Sequence, residues 1–325
     1  MGQLIDGKWV MAASAAAPDG SFRRAETTLR NWVTPDGSPG PSGRGGFKAE
    51  PGRYHLYVAM ACPWAHRTLI FRALKKLDAL ISVSVAEPFM GEDGWTFSEA
   101  LPDHLGDHRS MHEVYAAAVP GYSGRASVPA LFDKERKTIV SNESSEIIRM
   151  FNSAFDGVGG DRSVDLYPPA LRAEIDGLNK VVYDTVNNGV YKSGFARSQP
   201  AYDSAGTALF NTLDMLDERL GSRRYLLGER ITEGDWRLFT TLIRFDAVYF
   251  THFKCNLRRI ADYPNLSGYL RELYQMPRIA ETFDLEATRH HYYTSHRSIN
   301  PFGIVPIGPI LDFHSPHSRA RLRAA

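Results

Sequence analysis

One cysteine, placed where a strand pattern gives way to a helix pattern, constrains the fold of this chain more than any other feature. The run "RYHLYVAM" is aromatic and branched and predicts a strand that ends just before Cys62. Pro63 follows and suits the first turn of a helix, where its missing N–H is not needed. Leu69, Ala73 and Leu77 recur at a spacing of four, which predicts one buried stripe on that helix. We therefore expect a helix that begins at the end of a strand, with the thiol at the junction.

The next part of the chain predicts the remainder of an α/β domain. Ile81, Val83 and Val85 alternate with serines and predict a second strand. The run "SVPALFDKERKTIVS" predicts a hairpin, and "NESSEIIRMF" predicts a helix capped by Ser141 or Asn142. About forty residues rich in Gly, His and aromatics precede the hairpin, and an insertion of that length is expected to be functional. The predicted order is β-α-β, an insertion, and β-β-α.

From about Pro168 onward the pattern is helical throughout. Four leucines between Leu209 and Leu220 follow one another at steps of four, three and four, which predicts a helix with one buried face. The run "GSRRYLLGER" then breaks that helix. In "ITEGDWRLFTTLIRF", Thr232 stands three residues before Asp235, a pairing typical of a capping box at a helix start.

These patterns predict an α/β domain followed by an all-helical domain. We place an N-terminal extension and coil at residues 1–52, the α/β domain at 53–160, the helical domain at 168–297 and a C-terminal tail at 298–325. The tail contains "INPFGIVPIGPILDFHSP", whose prolines and apolar residues predict an extended segment laid over the surface.

Composition excludes several classes of function. Lys and Arg number 38 against 37 Asp and Glu, so no overall field attracts nucleic acid or an anionic membrane. No stretch has the length and apolarity of a membrane span. The two cysteines, Cys62 and Cys255, form no disulfide framework and indicate a reducing compartment, so we expect a cytoplasmic protein.

A metal site is not expected. His290, His291 and His296 are close in sequence, but no cysteine or carboxylate set at ligand spacing accompanies them. We interpret these histidines as the solvated end of a helix.

Cys62 is predicted to be reactive. Unbonded N–H groups and the dipole at a helix N-terminus stabilise an anion, which lowers the pKa of a thiol placed there. The alternative is that Cys62 only fills the core, as many cysteines do. The second position of a dithiol site is Ala65 here, so a mixed disulfide on Cys62 must be resolved by a thiol from solution, and glutathione is the obvious candidate.

Two short motifs fit a glutathione site. A cis bond at Val128-Pro129 would turn the Val128 backbone toward the helix of Cys62, where it can pair with an extended peptide. The alternative is an ordinary trans proline at the start of an edge strand, and the sequence does not decide between the two. Glu143 and Ser144 open a helix whose N–H groups can hold a carboxylate, while Glu143 can meet an ammonium. The γ-glutamyl end of glutathione carries both groups, although Glu143 could simply be a favourable first-turn acid.

Six ordered blocks carry a resemblance to a known family. In chain order they are "GRYHLYVAMACPWAHRTLI", "SVPALFD", "NESSEI", "NNGVYKSGFA", "RFDAVYFTHFKCN" and "HYYTSHRSINPFGIVPIGP". From about Trp9 to about Pro309 the chain resembles the glutathionyl-hydroquinone reductases, the xi class of cytosolic glutathione transferases. The resemblance implies a thioredoxin-like N-terminal domain (βαβ-ββα) followed by an all-helical glutathione-transferase domain.

The resemblance also implies an activity and its residues. Cys62 would attack the sulfur of a glutathionyl-hydroquinone, release the hydroquinone and keep glutathione as a mixed disulfide, which a second glutathione would resolve. Glutathione would be a co-substrate, no metal would be needed, and a homodimer would form through the helical domains. The residues implied to bind glutathione are Trp95, Arg125, Val128, Pro129, Glu143 and Ser144. Those implied to contact the hydroquinone are Tyr191, Tyr249 and Tyr292, with Tyr292 preferred over its neighbour Tyr293.

Two rival functions stay open at this point. A glutaredoxin-like enzyme of the omega or lambda type would also use Cys62, but a disulfide substrate needs no phenol donors. A non-catalytic protein that binds aromatic ligands would tolerate loss of Cys62.

Overall fold

The computed structural model describes residues 2–11 and 17–322 of the 325-residue chain. By its internal contacts the chain divides into two units. Of the described residues, the first unit holds 2–11, 25–165 and 282–291, and the second holds 17–24, 166–281 and 292–322.

The first unit contains a four-stranded sheet, a separate two-stranded hairpin, three complete helices and the start of a further helix, which ends in the second unit. Its elements in chain order are β1 (Gly2–Ile5), β2 (Lys8–Met11), β3 (Tyr54–Val58), α1 (Pro63–Leu74), β4 (Ile81–Val85), α2 (Met111–Ala118), β5 (Ala130–Asp133), β6 (Thr138–Ser141) and α3 (Ser144–Ser153). The strand order is β4, β3, β5, β6, with β3 parallel to β4 and antiparallel to β5. The predicted strands, hairpin and two helices of this part of the chain are confirmed.

The sequence prediction missed two features of this unit. Residues 2–11 form the two-stranded hairpin β1–β2, inside the segment predicted as coil. Its turn is Asp6-Gly7, and both residues have positive φ, 48° and 76°, as a tight two-residue hairpin turn requires. The insertion also contains α2, whose Ser110 cap accepts a hydrogen bond from the Glu113 N–H. Each feature has a short local signal, Asp-Gly for the turn and Ser-x-x-Glu for the helix start.

Two predicted details of the helices are wrong. The helix α1 is buried on most of its surface and not along one stripe, because Ala65, Thr68 and Ile70 are buried while Leu69 is only half-buried. The cap of α3 is Glu143, whose side chain accepts from the Ser145 N–H, and not Ser141 or Asn142. A carboxylate at this position satisfies an N–H group that has no partner within the helix.

The second unit is helical. Its helices are α4 (Arg172–Val182), α5 (Gly189–Gly194), α6 (Gln199–Ser222), α7 (Glu233–Arg244), α8 (Phe250–His252), α9 (Leu266–Tyr274) and, from residue 292, the end of α10 (Leu285–Ser295). The predicted leucine face lies on α6, where Leu209, Leu213, Leu216 and Leu220 are all buried. Within the described residues, no helix combines the length and apolarity needed to cross a membrane.

Several apolar side chains of the C-terminal tail are exposed. Ile307 and Ile310 are 100% and 96% exposed, and Phe302 is 87% exposed. The segment is extended, as the sequence predicts, but it leaves these three side chains in solvent. Farther on, Arg319 is buried and donates to the carbonyl oxygens of Leu220, Arg223 and Arg224, so the tail is anchored to the helical unit at this residue.

The start of α7 is fixed by the predicted capping box, which is confirmed. The buried carboxylate of Asp235 accepts from the Thr232 N–H at 2.8 Å and from the Leu226 N–H at 2.9 Å. It also accepts from the Tyr269 hydroxyl of α9 at 2.8 Å. The Thr232 hydroxyl also donates to it at 3.1 Å. One side chain thus satisfies four donors and ties α7 to the preceding loop and to α9.

We expect Asp235→Ala to lower the free energy of unfolding by about 3 kcal/mol, because it leaves the buried donors around Asp235 without this acceptor. Chemical denaturation monitored by circular dichroism measures the change. The control is Asp78→Ala, which removes a partly exposed ion pair with Arg72 and should cost well under about 1 kcal/mol. Equal destabilisation by the two substitutions would contradict this account of the α7 start.

Candidate active site

Cys62 lies at the junction that the sequence predicts. It is the N-cap residue of α1, with an extended backbone (φ −77°, ψ 118°), and Pro63 occupies the first turn. The His66 N–H donates to the Cys62 carbonyl oxygen at 3.0 Å, which starts the helical hydrogen-bond series. The side chain is 7% exposed. The helix N-terminus therefore presents its N–H groups and positive dipole end toward this thiol.

Val128 is in direct contact with Cys62. The thiol donates to the Val128 carbonyl oxygen, with Sγ and O 3.3 Å apart. The Val128-Pro129 peptide bond, which the sequence left open, is cis, and β5 begins at the next residue. The backbone just before β5 is thus held beside the thiol, where a bound peptide could lie against both.

The start of α3 is polar and carries charge. The Glu143 carboxylate accepts from the Ser145 N–H at 3.0 Å, the Ser145 hydroxyl at 2.8 Å and the Thr27 hydroxyl at 2.9 Å. Burial opposes ionisation, but the hydrogen bonds from Ser145 and Thr27 and the charge of Arg67 outweigh it, so the pKa of Glu143 is lowered. Glu143 is therefore an anion, able to meet an ammonium group.

A buried cation lies beside the same helix start. The Arg67 guanidinium of α1 is 3.5 Å from the Ser144 hydroxyl and 4.6 Å from the centre of the Trp64 ring. The N–H of Ser144, at the first position of α3, bonds to no acceptor among the described residues, as expected for a first-turn donor. An anion such as a carboxylate would be stabilised there by the N–H, the helix dipole and Arg67. The sequence prediction did not assign Arg67 to this place.

Trp95 and Arg125 have separate local contacts. The Trp95 ring is buried and stacks on His291, with ring centres 4.7 Å apart and planes 21° apart. His291 in turn donates through Nδ1 to the Pro88 carbonyl oxygen at 2.9 Å. The side chain of Arg125 is exposed, and its carbonyl oxygen accepts from the Tyr122 hydroxyl at 3.3 Å.

The three predicted tyrosines come together in the second unit. The Tyr292 hydroxyl of α10 lies 2.6 Å from the Tyr191 hydroxyl of α5 and 3.0 Å from the Tyr249 hydroxyl. Tyr249 and Tyr292 are fully buried, whereas Tyr191 is half-buried. Tyr293 points elsewhere, since its hydroxyl donates to the Ala247 carbonyl oxygen at 3.2 Å. We call Tyr191, Tyr249 and Tyr292 the tyrosine cluster.

Two members of the tyrosine cluster, Tyr249 and Tyr292, are neutral phenols. Burial, followed by the charge that Tyr191 would carry, raises the pKa values of Tyr249 and Tyr292 well above 10. Both hydroxyls therefore keep their protons at any physiological pH. The arrangement can donate hydrogen bonds to an oxygen that gains negative charge.

Two irregular helical turns accompany the cluster. A π-helical turn over Tyr183–Asn187 joins α4 to the helix of Tyr191, and a second over Phe245–Tyr249 joins α7 to α8 and contains Tyr249. Such turns interrupt the regular i to i−4 bonding and occur often at functional sites. No pattern in the sequence signals them.

The sequence analysis did not identify several further residues that contact the tyrosine cluster. The Arg24 guanidinium lies 4.6 Å from the centre of the Tyr191 ring and donates through Nε to the Asn188 amide oxygen at 2.7 Å. Phe253 stacks on Tyr249 with ring centres 5.5 Å apart. Gly194 is required by this packing, because a Cβ there would meet the Phe253 ring at 2.2 Å.

Two histidines and the second cysteine are buried. His291 and His296 are buried in aromatic contacts, so their interpretation as a solvated helix end is wrong. No group of three or more potential metal ligands occurs among the described residues. Cys255 is buried, and burial raises its pKa to about 12, so this thiol stays protonated.

Comparison with known proteins identifies the family. Family models for the N-terminal and C-terminal domains of glutathione S-transferase match residues 61–154 and 199–272. Glutathionyl-hydroquinone reductase YqjG of Escherichia coli is 56% identical over 324 residues, which cover 98% of each chain. The chain belongs to the glutathionyl-hydroquinone reductases. Glutathionyl-hydroquinone reductase PcpF of Sphingobium chlorophenolicum is 52% identical over an alignment that spans 95% of this chain and 96% of PcpF.

Solved structures of glutathionyl-hydroquinone reductases and other xi-class transferases share this fold. The glutathione-bound structure of E. coli YqjG has a TM-score of 0.91 at 55% identity, over 98% of this chain and 99% of its own. A xi-class transferase of Natrialba magadii has a TM-score of 0.90 at 47% identity, over 99% and 97%. The fold implied by the sequence resemblance, a thioredoxin-like domain followed by an all-helical transferase domain, is confirmed.

Proposed function

We propose that this protein removes glutathione from glutathionyl-hydroquinones and yields the hydroquinone and oxidised glutathione. The observation that carries the proposal is the thiol of Cys62 at the N-terminus of α1, in contact with the Val128 carbonyl oxygen. The names of the relatives YqjG and PcpF give the reaction class. The glutathione-bound structure of YqjG supports glutathione as the co-substrate.

In the first step, the Cys62 thiolate attacks the sulfur of the glutathionyl-hydroquinone. An S–S bond forms between Cys62 and glutathione, and the bond from that sulfur to the ring carbon breaks. The electron pair goes to the ring carbon, which takes up a proton and becomes the C–H of the hydroquinone. The aromatic substrate is thereby reduced, and Cys62 is oxidised to a mixed disulfide.

In the second step, the thiolate of another glutathione attacks the glutathionyl sulfur of the mixed disulfide. Oxidised glutathione leaves, and Cys62 returns to the thiolate. A thiol from solution is needed because Cys255, the other cysteine of the chain, is buried and protonated. The missing second cysteine of a dithiol site is thus replaced by a second substrate molecule.

We propose that glutathione lies along Val128 and Pro129 and against α3. Its α-ammonium would meet Glu143, and its α-carboxylate would meet the N–H of Ser144 above Arg67. Trp95 and Arg125, from the segments that precede α2 and β5, would hold the remaining parts of the tripeptide. The polar start of α3 supports this orientation, since it offers an anion and an anion-binding helix terminus side by side.

We propose that the tyrosine cluster contacts the hydroquinone. The ring would lie against aromatic faces, and a phenol O–H would donate to the hydroquinone oxygen, which stabilises the charge that develops as the C–S bond breaks. The linked hydroxyls of Tyr191, Tyr249 and Tyr292 support this role, because at least Tyr249 and Tyr292 keep their protons and can donate.

Further parts of the proposal concern the whole protein. The α/β and helical domains would span residues 53–160 and 168–297, between an N-terminal extension and a C-terminal tail. We propose a cytoplasmic homodimer formed through the helical domains, without nucleic acid or membrane as partner and without a metal. The two cysteines, which form no disulfide, agree with a reducing compartment, and the exposed apolar tail offers surface that a second copy could cover.

The test compares a thioether with a disulfide substrate. Wild-type protein and glutathione are incubated with glutathionyl-menadiol or with a mixed disulfide of glutathione and 2-mercaptoethanol. We expect one menadiol and one oxidised glutathione per turnover by liquid chromatography, with the thioether as the better substrate. Turnover of the disulfide without release of menadiol would contradict the proposal and favour a glutaredoxin-like enzyme.

A further inference from the structure

A cavity in the first unit is lined by none of the described residues assigned above to glutathione. Its volume is about 400 Å³, within the range of small-molecule pockets. Tyr57 of β3 and Phe132 of β5 form an apolar floor, and Val114 and Ala117 of α2 form one wall. The two floor rings meet edge to face, with centres 6.1 Å apart and planes 89° apart. The cavity therefore offers two aromatic rings, set at right angles to each other, as an apolar contact surface.

A buried carboxylate holds part of the lining in place. Asp103 accepts from the Tyr57 hydroxyl at 2.8 Å, from His108 Nδ1 at 2.7 Å and from the Leu105 N–H at 3.0 Å. Burial opposes ionisation of Asp103, but these three hydrogen bonds outweigh it and lower its pKa. Tyr57, Leu105 and His108 all line the cavity, so its shape is fixed before any ligand binds.

Of the four charged residues in the β5–β6 turn, two face away from the cavity and two line it. Glu135 forms an ion pair with Arg53 at 3.3 Å, and Arg136 lies over the ring of a neighbouring phenylalanine. Lys134 and Lys137 instead line the cavity. Among the described residues, neither lysine side chain makes an ion pair or a hydrogen bond. Two uncompensated ammonium groups thus stand at the edge of an apolar, aromatic pocket.

We propose that this cavity binds an aromatic carboxylate. The ring of such a ligand would pack against the Tyr57 and Phe132 rings, and its carboxylate would pair with Lys134 and Lys137. A ligand without a ring would leave the floor unused, and one without a negative charge would leave both ammonium groups unpaired. The volume suits one or two fused rings. This site is independent of the reductase activity and of the glutathione residues.

The test uses isothermal titration with 2-naphthoate in the presence of saturating glutathione. We expect saturable binding at one site per chain, and binding of the uncharged 2-naphthamide at least about tenfold weaker. Lys134→Gln with Lys137→Gln should weaken 2-naphthoate binding at least about tenfold. The matched control, Lys8→Gln with Lys180→Gln, removes two exposed lysines elsewhere and should leave the affinity unchanged.

A second variant and a map of lysine protection test whether 2-naphthoate binds in this cavity. Ala117→Phe places a ring at the exposed wall of the cavity and should also abolish binding while both lysines remain. In addition, 2-naphthoate should protect Lys134 and Lys137, but not Lys8 and Lys180, from acetylation, as read by peptide mass spectrometry. All variants should keep wild-type reductase turnover. Full binding by the Lys134→Gln, Lys137→Gln variant, or no protection of these two lysines, would overturn the proposal.

Discussion

Cys62→Ser should lower kcat/KM for glutathionyl-menadiol by about 10⁴-fold or more, to the level of the uncatalysed reaction. A serine hydroxyl can occupy the same N-cap position, but it cannot form the disulfide with glutathione on which both steps depend. The helix start itself should be preserved, because serine is a favourable N-cap residue. Hydroquinone release under steady-state conditions measures the effect.

The matched control for this prediction is Cys255→Ala. Cys255 is the only other cysteine of the chain, and its thiol is buried with a pKa of about 12. Turnover should therefore stay within about threefold of wild type once thermal unfolding shows that the variant is folded. A Cys62→Ser protein that keeps more than about a tenth of wild-type turnover would exclude the covalent mechanism. Turnover would then have to proceed without a thiol step.

Tyr292→Phe should lower kcat/KM for glutathionyl-menadiol by about 100-fold. The substitution keeps the ring and removes the hydroxyl that lies within 3.0 Å of both Tyr191 and Tyr249. Loss of this hydroxyl breaks the linked row of phenol donors, so the negative charge that develops on the hydroquinone is less well stabilised. Reduction of a glutathione mixed disulfide should change by less than about threefold, since a thiolate leaving group needs no phenol donor.

The adjacent tyrosine supplies the control. Tyr293→Phe removes a hydroxyl that donates to the Ala247 carbonyl oxygen and takes no part in the tyrosine cluster. Its kcat/KM for either substrate should stay within about threefold of wild type. If Tyr292→Phe slowed the thioether and the disulfide equally, or no more than Tyr293→Phe, the assigned role of the tyrosine cluster would be wrong.

The sequence predicted best those features that depend on neighbouring residues. The strand, Cys62 and Pro63 form one short local pattern, and the structure has β3, the N-cap and the first turn of α1 in that order. Thr232 and Asp235 are three residues apart and form the expected capping box. Local signals were also present where the prediction failed, because Asp6-Gly7 and Ser110-x-x-Glu113 mark the hairpin and α2.

Features that depend on contacts between residues far apart in the sequence could not be predicted from the sequence. Tyr191, Tyr249 and Tyr292 were found through the family resemblance, but the central place of the Tyr292 hydroxyl follows from tertiary packing and two π-helical turns. Arg24 reaches Tyr191 across more than 160 residues of sequence. His291 appeared solvent-facing by its polar neighbours, yet stacking on Trp95 buries it. Long-range packing overrides local composition at each of these positions.

The central claim is that Cys62 carries glutathione as a mixed disulfide, and a single turnover without added glutathione tests it most directly. Protein is mixed with one equivalent of glutathionyl-menadiol, quenched in acid and analysed by intact-protein and peptide mass spectrometry. The account predicts one glutathionyl group on the peptide of Cys62 and one released menadiol per chain, with neither in Cys62→Ser. Release of menadiol without an adduct, or an adduct on Cys255, would contradict it.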